Sequence, residues 1–473
     1  MNDTSTNPES RLRLCLALVV LVFGAGCQTY TSQNLAASGS WLRGDVQSAV
    51  GNYSARARKA PRRDAVIWNL ELGTAHRSAG GFRASNDAYG SAESLIDHWE
   101  RRAKVSVSQE AVALVSNQAS LPYEGRIYDK IMLNSYRGLN FLQLGNEAGA
   151  RVEFNRVLRR QEDAVAIKKR QIARDERAIT QARGENRNGA AMLDDSRVQS
   201  RLDSAYSHLD TYRARGTYEN PFAIFMRGLF FATHANGNSD LETARHALNQ
   251  VVTMTGNNYV KRELQHVEEQ FQGKTIGPMV HVVFETGRAP QRGEQKIELP
   301  LFFLGDGNVP LFAAAFPTLR PQYNYISSLK VDGGGHNAQS VLLADMDAII
   351  AREFLDELPT IQAKTILSSV GKAAAGYAIN RSAKKQDKDL GLFAVIATSI
   401  YQAAVNVADT RTWTTLPKQI QYCSLPLPAD RKLKLSGAGL NSNVTLQNGN
   451  TLLIYVKSIS PEAPLLVTQT TLN

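Results

Sequence analysis

Cysteine is scarce in this chain, with three among 473 residues. A disulfide framework needs several at regular spacing, so none is expected. The eight histidines are scattered and never fall at the spacings that seat zinc. Neither His-Glu-x-x-His nor Gly-x-Ser-x-Gly occurs, and the triplet Gly273-Lys274-Thr275 has Glu268 where a phosphate loop requires glycine. His336 stands in the glycine-rich stretch Val331 to Gln339, but no motif supplies its serine, cysteine or carboxylate partner, so a loop is expected there. His76 and His234 fall in helical stretches, where packing is the plainer role. No catalytic signature, metal or cofactor is therefore expected. Catalytic groups that converge from distant positions remain the alternative, with Asp409, Arg411 and His336 as the set to test.

Long apolar runs are scarce too. The most telling one, Leu14 to Phe23, has ten residues, half of what a membrane-spanning helix needs. Arg11 and Arg13 precede it, and Gly24, Ala25, Gly26 and Cys27 follow it. This is the layout of an export signal. A cysteine at the first mature position is what lipoprotein processing requires, and the stretch resembles a bacterial lipobox with Gly24 where leucine is usual. Residues 1–26 are thus expected to be a signal peptide, and Cys27 the lipidation site. Gln28 rather than aspartate at the next position favours the outer membrane, facing the periplasm. A second run, Leu390 to Ala408, contains Gln402 and Asn406 and is read as half of a buried helical hairpin.

The composition, 43% hydrophobic and 21% charged, is that of a globular protein, and the net charge is +10. In an envelope protein that balance suits a solvated basic surface or acidic envelope components; nucleic acid is not an expected partner.

Residues 27–60 are rich in Ser, Asn, Gly and Arg. They read as a tether with one short helix around Trp41 to Tyr53. Helical units follow over 61–272. Gly73 with Tyr89 and Ala92, Gly138 with Phe141, Gly145, Ala150, Phe154 and Val157, and, after a slightly longer turn, Gly228 with Phe231, Ala244, Leu248 and Val251 recur in the same order at similar offsets. That is the pattern of tetratricopeptide-like units, in which glycine lets paired helices approach. Between the second and third units, Leu158, Val165, Ile172 and Ile179 recur every seven residues, and Val198, Leu202, Ala205, Leu209 and Tyr212 at three-to-four spacing. A helical hairpin projecting over 158–212 is expected. Beyond Thr275 the texture becomes β-rich, with strands at Met279 to Gly287, Gln295 to Leu304 and Thr451 to Ile459, and a helical insertion at 341–409. The fold class is α+β, with helical repeats first and a β-rich region, 275–473, after them.

Four blocks carry a resemblance: "YEGRIYDKIMLNSYRGLNFLQLGNEAGARVEFNRVLRRQ", "YENPFAIFMRGLFF", "VVFETGRAPQRGEQKIELPL" and "ADTRTWTTLPKQI". They are similar, in order, to blocks of a family of uncharacterised bacterial envelope lipoproteins with tetratricopeptide-like repeats. The resemblance spans about Tyr123 to Ile420. It implies architecture and location, and through the family's usual company a link to peptidoglycan synthesis. Gly287, Pro290, Asp409, Arg411 and Trp413 in the last two blocks are the candidate binding or structural motif. Asp409 and Arg411 are read as too close in an extended chain to face each other, leaving Arg411 to an acid elsewhere and Trp413 to the core. The expected function is a membrane-anchored scaffold for envelope proteins, which grips its partner by the concave repeat face or the β-rich region. An enzyme acting on glycan or lipid and a lipid-handling protein are the alternatives.

Overall fold

A computed structural model describes residues 30–105, 121–213, 215–300, 311–386 and 408–472. The signal peptide, Cys27 and nearly all of the Leu390 to Ala408 run lie outside the described residues.

The segment read as a tether is folded. Helices α1 (Tyr30–Leu42) and α2 (Val46–Lys59) bury Tyr30, Ala37, Trp41, Ala49 and Tyr53. The Tyr30 hydroxyl donates to Glu71 Oε1 at 2.8 Å and to the Thr412 carbonyl at 2.9 Å. Each helix docks through one or two aromatics rather than an apolar stripe, so its periodicity is weak although those aromatics are buried.

Three helix pairs follow: α3 (Ala65–Ser78) with α4 (Phe82–Val105), α5 (Ile127–Gln143) with α6 (Glu147–Glu185), and, after the intervening segment, α10 (Pro221–Thr233) with α11 (Asn238–Thr255). At each crossing the glycine lies under a large side chain of its partner helix. Gly73 faces Tyr89, Gly138 faces Phe154 and Gly228 faces Leu248. Phe141 covers Gly149 on the other side of the second crossing. Caps set the helix starts: Asn146 accepts from Gly149 N at 2.8 Å, and Asn220 accepts from Phe222 N at 3.1 Å with Pro221 at the first helical position. Helix α12 (Asn258–Phe271) closes the series.

The segment expected to project lies down on its neighbours. Helix α6 is broken only at Asn186, which caps α7 (Arg187–Asp194) and donates to the Leu367 carbonyl at 2.8 Å. Helices α8 (Ser196–Tyr206) and α9 (Asp210–Arg213) follow, burying Val198, Leu202, Tyr206, Leu209 and Tyr212, with the Tyr206 hydroxyl donating to the Pro317 carbonyl at 2.7 Å. The buried face of α6 is Val157, Gln161, Ala164 and Lys168, while Val165 is 47% exposed. The heptad stripe is therefore not the packed one. The packed face carries a lysine because its neighbour offers a carboxylate, so apolar spacing points to the wrong side.

The strands are β1 (Met279–Thr286), β2 (Gln291–Pro300), β3 (Leu311–Arg320), β4 (Lys330–Gly333), β5 (His336–Gln339) and β6 (Val341–Asp345), then α13 (Met346–Gln386), β7 (Gln419–Pro426), β8 (Lys432–Gly437), β9 (Leu440–Thr445), β10 (Thr451–Ser458) and β11 (Leu466–Thr471). They form a five-stranded sheet in the order β11-β10-β1-β7-β6, a four-stranded sheet in the order β5-β4-β8-β9, and the β2–β3 hairpin. Among the described strands, only β1 and β10 pair in parallel. The Val331 to Gln339 stretch is a β-hairpin turning at Gly334 and Gly335, both at positive φ.

Alternation along the strands sorts the two faces of the larger sheet. Val280, Val282, Phe284, Cys423, Leu425, Leu452, Ile454 and Val456 pack against the four-stranded sheet. Val283, Ile420, Tyr422, Leu453 and Tyr455 join one apolar cluster with α1, α3, α5 and α10. The fold is α+β in three layers: helices, central sheet, outer sheet.

A Cβ at Gly138 would lie 2.7 Å from Phe154 Cε1. Gly138→Leu is expected to overpack the crossing and cost about 1 to 3 kcal/mol, read by thermal or denaturant unfolding. The exposed control Arg187→Leu should leave stability unchanged, and equal behaviour of the two would remove Gly138 from the crossing.

Candidate functional site

The inner helices α3, α5 and α10 are buried on nearly every side. Their sheet-facing sides meet a row of polar residues. On α3, Glu71 accepts from Tyr30, from Thr414 N at 2.7 Å and from Thr415 N at 3.1 Å. Burial pushes its pKa up against these donors. On β1, Glu285 accepts from Tyr136 of α5 at 2.6 Å, Tyr455 at 2.7 Å and Lys457 at 2.7 Å. Burial raises its pKa, but the Lys457 ammonium and the donors outweigh it and hold it below the usual range. On α12, Glu263 accepts from Tyr422 at 2.8 Å and Ser424 at 2.6 Å, with His281 Nδ1 at 3.6 Å. Against burial, His281, His266 and the hydroxyls hold Glu263 at about 2. His281 itself is pushed down by burial. This side of the repeats, which helical repeats commonly offer to a partner, is occupied here by the chain's own sheet.

Trp413, fully buried, sits between the first two pairs and the sheet. Its Nε1 donates to Thr74 Oγ1 at 3.0 Å, and its ring meets Tyr89 and Tyr136 edge-on at 5.8 and 5.9 Å. Asp409 and Arg411, by contrast with the extended-chain expectation, do face each other. The Asp409 carboxylate accepts from Arg411 N at 3.1 Å, and from Nε at 2.8 Å and Nη2 at 2.9 Å. Nη1 donates to Asp64 Oδ1 at 3.0 Å and to the Leu121 carbonyl at 2.8 Å. The pair is a clasp between residues 409–411 and the start of α3.

Beyond this clasp opens a cleft of 290 Å³. One wall is α6, with Lys168, Gln171, Ile172, Arg174 and Asp175; the other is α13, with Glu353, Glu357, Thr360, Ile361 and Lys364; residues 121–126, Arg292 of β2 and the clasp complete it. Glu357 accepts from Arg126 Nη1 at 2.9 Å, Lys168 Nζ at 2.7 Å and Arg292 Nη2 at 3.1 Å. Burial raises its pKa, yet the three cations drive it far below the carboxylate range. Lys364 pairs with Asp175 at 2.9 Å across the two helices. Glu353, one turn before Glu357, accepts from Ile127 N at 3.2 Å through Oε1. Among the described residues, its Oε2 and the Nε atoms of Arg126 and Arg292 are buried without a hydrogen-bond partner. Three cations on one carboxylate, with spare donors and one spare acceptor, suit an anionic group that also donates.

The remaining expected residues lie elsewhere. Gly287, at φ +67°, ends β1, and a Cβ there would meet Tyr325 Cβ at 2.6 Å. Pro290 is buried before β2, and Phe231 is buried in α10. His336 is exposed on the β4–β5 hairpin, while Arg411 is engaged by Asp409, Asp64 and the backbone, so no triad of these residues forms. Sequence reasoning missed Glu353, Glu357, Arg126, Lys168 and Arg292. The signal available was the pair of carboxylates four apart on one predicted helix; their cationic partners come from three other elements.

Removing one partner of a buried ion pair strands the other charge and costs about 3 to 5 kcal/mol. Arg411→Ala is expected to lower the Tm by several degrees, and an unchanged Tm would show that the clasp is not structural. Glu263 has a folded pKa of about 2 against an ordinary 4.5, so the stability it adds is present above pH 4.5 and is lost as pH falls towards 2, roughly 3 kcal/mol in all. Unfolding followed from pH 6 to pH 2 should show this decline, and Glu263→Gln should flatten its lower part.

No protein-family model matches the chain, and comparison with curated proteins finds no match. Among solved structures, the chain is similar to a tetratricopeptide repeat protein from Parabacteroides merdae ATCC 43184, at 17% identity over 51% of this chain and 99% of that one, with a TM-score of 0.14. So low a score leaves the fold to be argued from the chain's own geometry.

Proposed function

We propose that the protein is a lipid-anchored scaffold of the bacterial cell envelope, which holds another envelope protein through the charged cleft. The anchor is supported by the basic, apolar and small-residue sequence that ends at Cys27. Gln28 favours the outer membrane, with the folded chain facing the periplasm. The four resembling blocks favour a partner in peptidoglycan synthesis. The observation that carries the interaction is the set of buried, unpartnered donors and acceptor around Glu357 and Glu353 among the described residues. Polar groups left unsatisfied in a folded chain cost about 1 to 3 kcal/mol each, which a partner recovers by pairing them. The repeats' inner faces are taken up by the central sheet, so the cleft replaces the concave face as the recognition element.

Photo-crosslinking residues at Gln171 and Thr360, on the two cleft walls, are expected to capture an envelope protein in intact cells, identified by mass. The same residue at Arg187, on the exposed side of α7, should not capture it. Capture from Arg187 as readily as from the cleft would sink the reading. Cys27→Ala is expected to leave an unprocessed or soluble precursor; a variant still cleaved and still membrane-bound after a carbonate wash rules out the lipid anchor.

A further inference from the structure

We infer that the cleft takes the free C-terminal carboxylate of a peptide and that Glu353 holds the amide N–H of the same terminal residue. The inference rests on the cleft being the recognition surface proposed above.

Two deficits at the site point to one kind of group. The first is of acceptors for buried N–H groups. Arg126, Lys168 and Arg292 converge on the single carboxylate of Glu357. A lysine ammonium has three N–H donors and a guanidinium five, so one carboxylate leaves most of them unused, and the Nε atoms of both arginines are buried without an acceptor among the described residues. The second deficit is of a donor. Glu353, 3% exposed, has one oxygen on Ile127 N and the other unpartnered among the described residues. A bare anion such as sulfate, which has no proton to give at neutral pH, answers the first deficit and not the second; hydrogen phosphate, which can also donate, is set against the peptide in the titration below. A hydroxyl answers the second and not the first. The last residue of a peptide answers both, because its carboxylate and its amide N–H hang from the same Cα. Capture of a terminal carboxylate by convergent donors is a recurring mode of peptide recognition.

The surroundings fix the rest of the ligand. Ile172 on α6 and Ile361 on α13 face the cleft from opposite walls, which favours an apolar terminal side chain between them. The volume, 290 Å³, is near the lower end of the roughly 300 to 1,000 Å³ of small-molecule sites. It accommodates the last one or two residues and not a longer segment. Glu353 and Glu357 are one helical turn apart on α13, so the acceptor and the cation cluster are held at a fixed separation.

Calorimetric titration of the full chain in detergent tests this. The probes are an N-acetylated tripeptide ending in leucine, the same peptide as its C-terminal amide, and sodium phosphate. The free acid is expected to bind at least tenfold more tightly than the amide, and phosphate is expected not to displace it. Glu353→Gln keeps an oxygen for Ile127 N and turns a donor towards the peptide N–H; it should weaken the acid about tenfold with the Tm unchanged. Thr360→Trp, which fills the cleft without removing a charge, should abolish binding. Equal affinity for acid and amide, or displacement by phosphate, would overturn the inference. If the peptide fails to bind while crosslinks at Gln171 and Thr360 persist, the carboxylate inference falls and the scaffold reading stands. Peptide binding without cleft-specific crosslinks would leave the carboxylate site standing and remove the scaffold reading.

Discussion

Buried carboxylates, each surrounded by donors from distant parts of the chain, join the helices to the central sheet. Glu71 binds residues 414 and 415, Glu285 binds Tyr136, and Glu263 binds Tyr422 and Ser424. All three are nearly inaccessible. Desolvating a carboxylate costs several kcal/mol unless hydrogen bonds and charge replace the lost water. Helices and sheet can therefore meet in one register only, the one in which every acid finds its donors. Apolar contacts such as Phe225 against Tyr422, at 4.3 Å between ring centres, supply attraction. The acids supply its specificity.

This constraint explains what was legible from sequence. The helix-to-strand order and the α+β class follow from local periodicity, and the glycines that face Tyr89, Phe154 and Leu248 can be found because a close crossing needs a residue without Cβ one helical hairpin ahead of a bulky one. β1 and β10 read as strands because both faces of the sheet are covered, which produces near-continuous apolar runs. The failures share a cause. Helices α1 and α2 dock through Tyr30, Trp41 and Tyr53, too few residues to mark a stripe. The packed face of α6 carries Gln161 and Lys168 because Asn220 and Glu357 lie opposite. A polar residue on a packed face looks like a solvated one until its partner, dozens or hundreds of positions away, is known.

The same holds for Asp409 and Arg411. An extended backbone sends side chains two residues apart along one face without bringing them into contact. Here the Asp409 carboxylate accepts from Arg411 N and the guanidinium reaches back to it as a two-pronged pair. The third direction of the guanidinium then reaches Asp64. The acid elsewhere that the sequence leaves to Arg411 is Asp64, and the motif is a fastener between the start of α3 and the entry to the sheet.

The fastener and the cleft are continuous, since Asp409 and Arg411 form one end of it. The ligands of Glu357 come from the start of α5, the middle of α6 and β2, and Glu357 itself from α13. No two of the four lie on one element. The charge cluster therefore exists only when helical pairs, hairpin and long helix are all docked, and the docking is in turn set by the acids at the sheet. A molecule that binds the cluster binds the assembled chain and not its unfolded form, so by mass action it stabilises the whole arrangement. Sensitivity runs the other way as well. A shift of α13 by a fraction of a helical turn would separate Glu357 from Lys168 and Arg292, which ties the geometry of the cleft to the same packing that fills the inner face of the repeats.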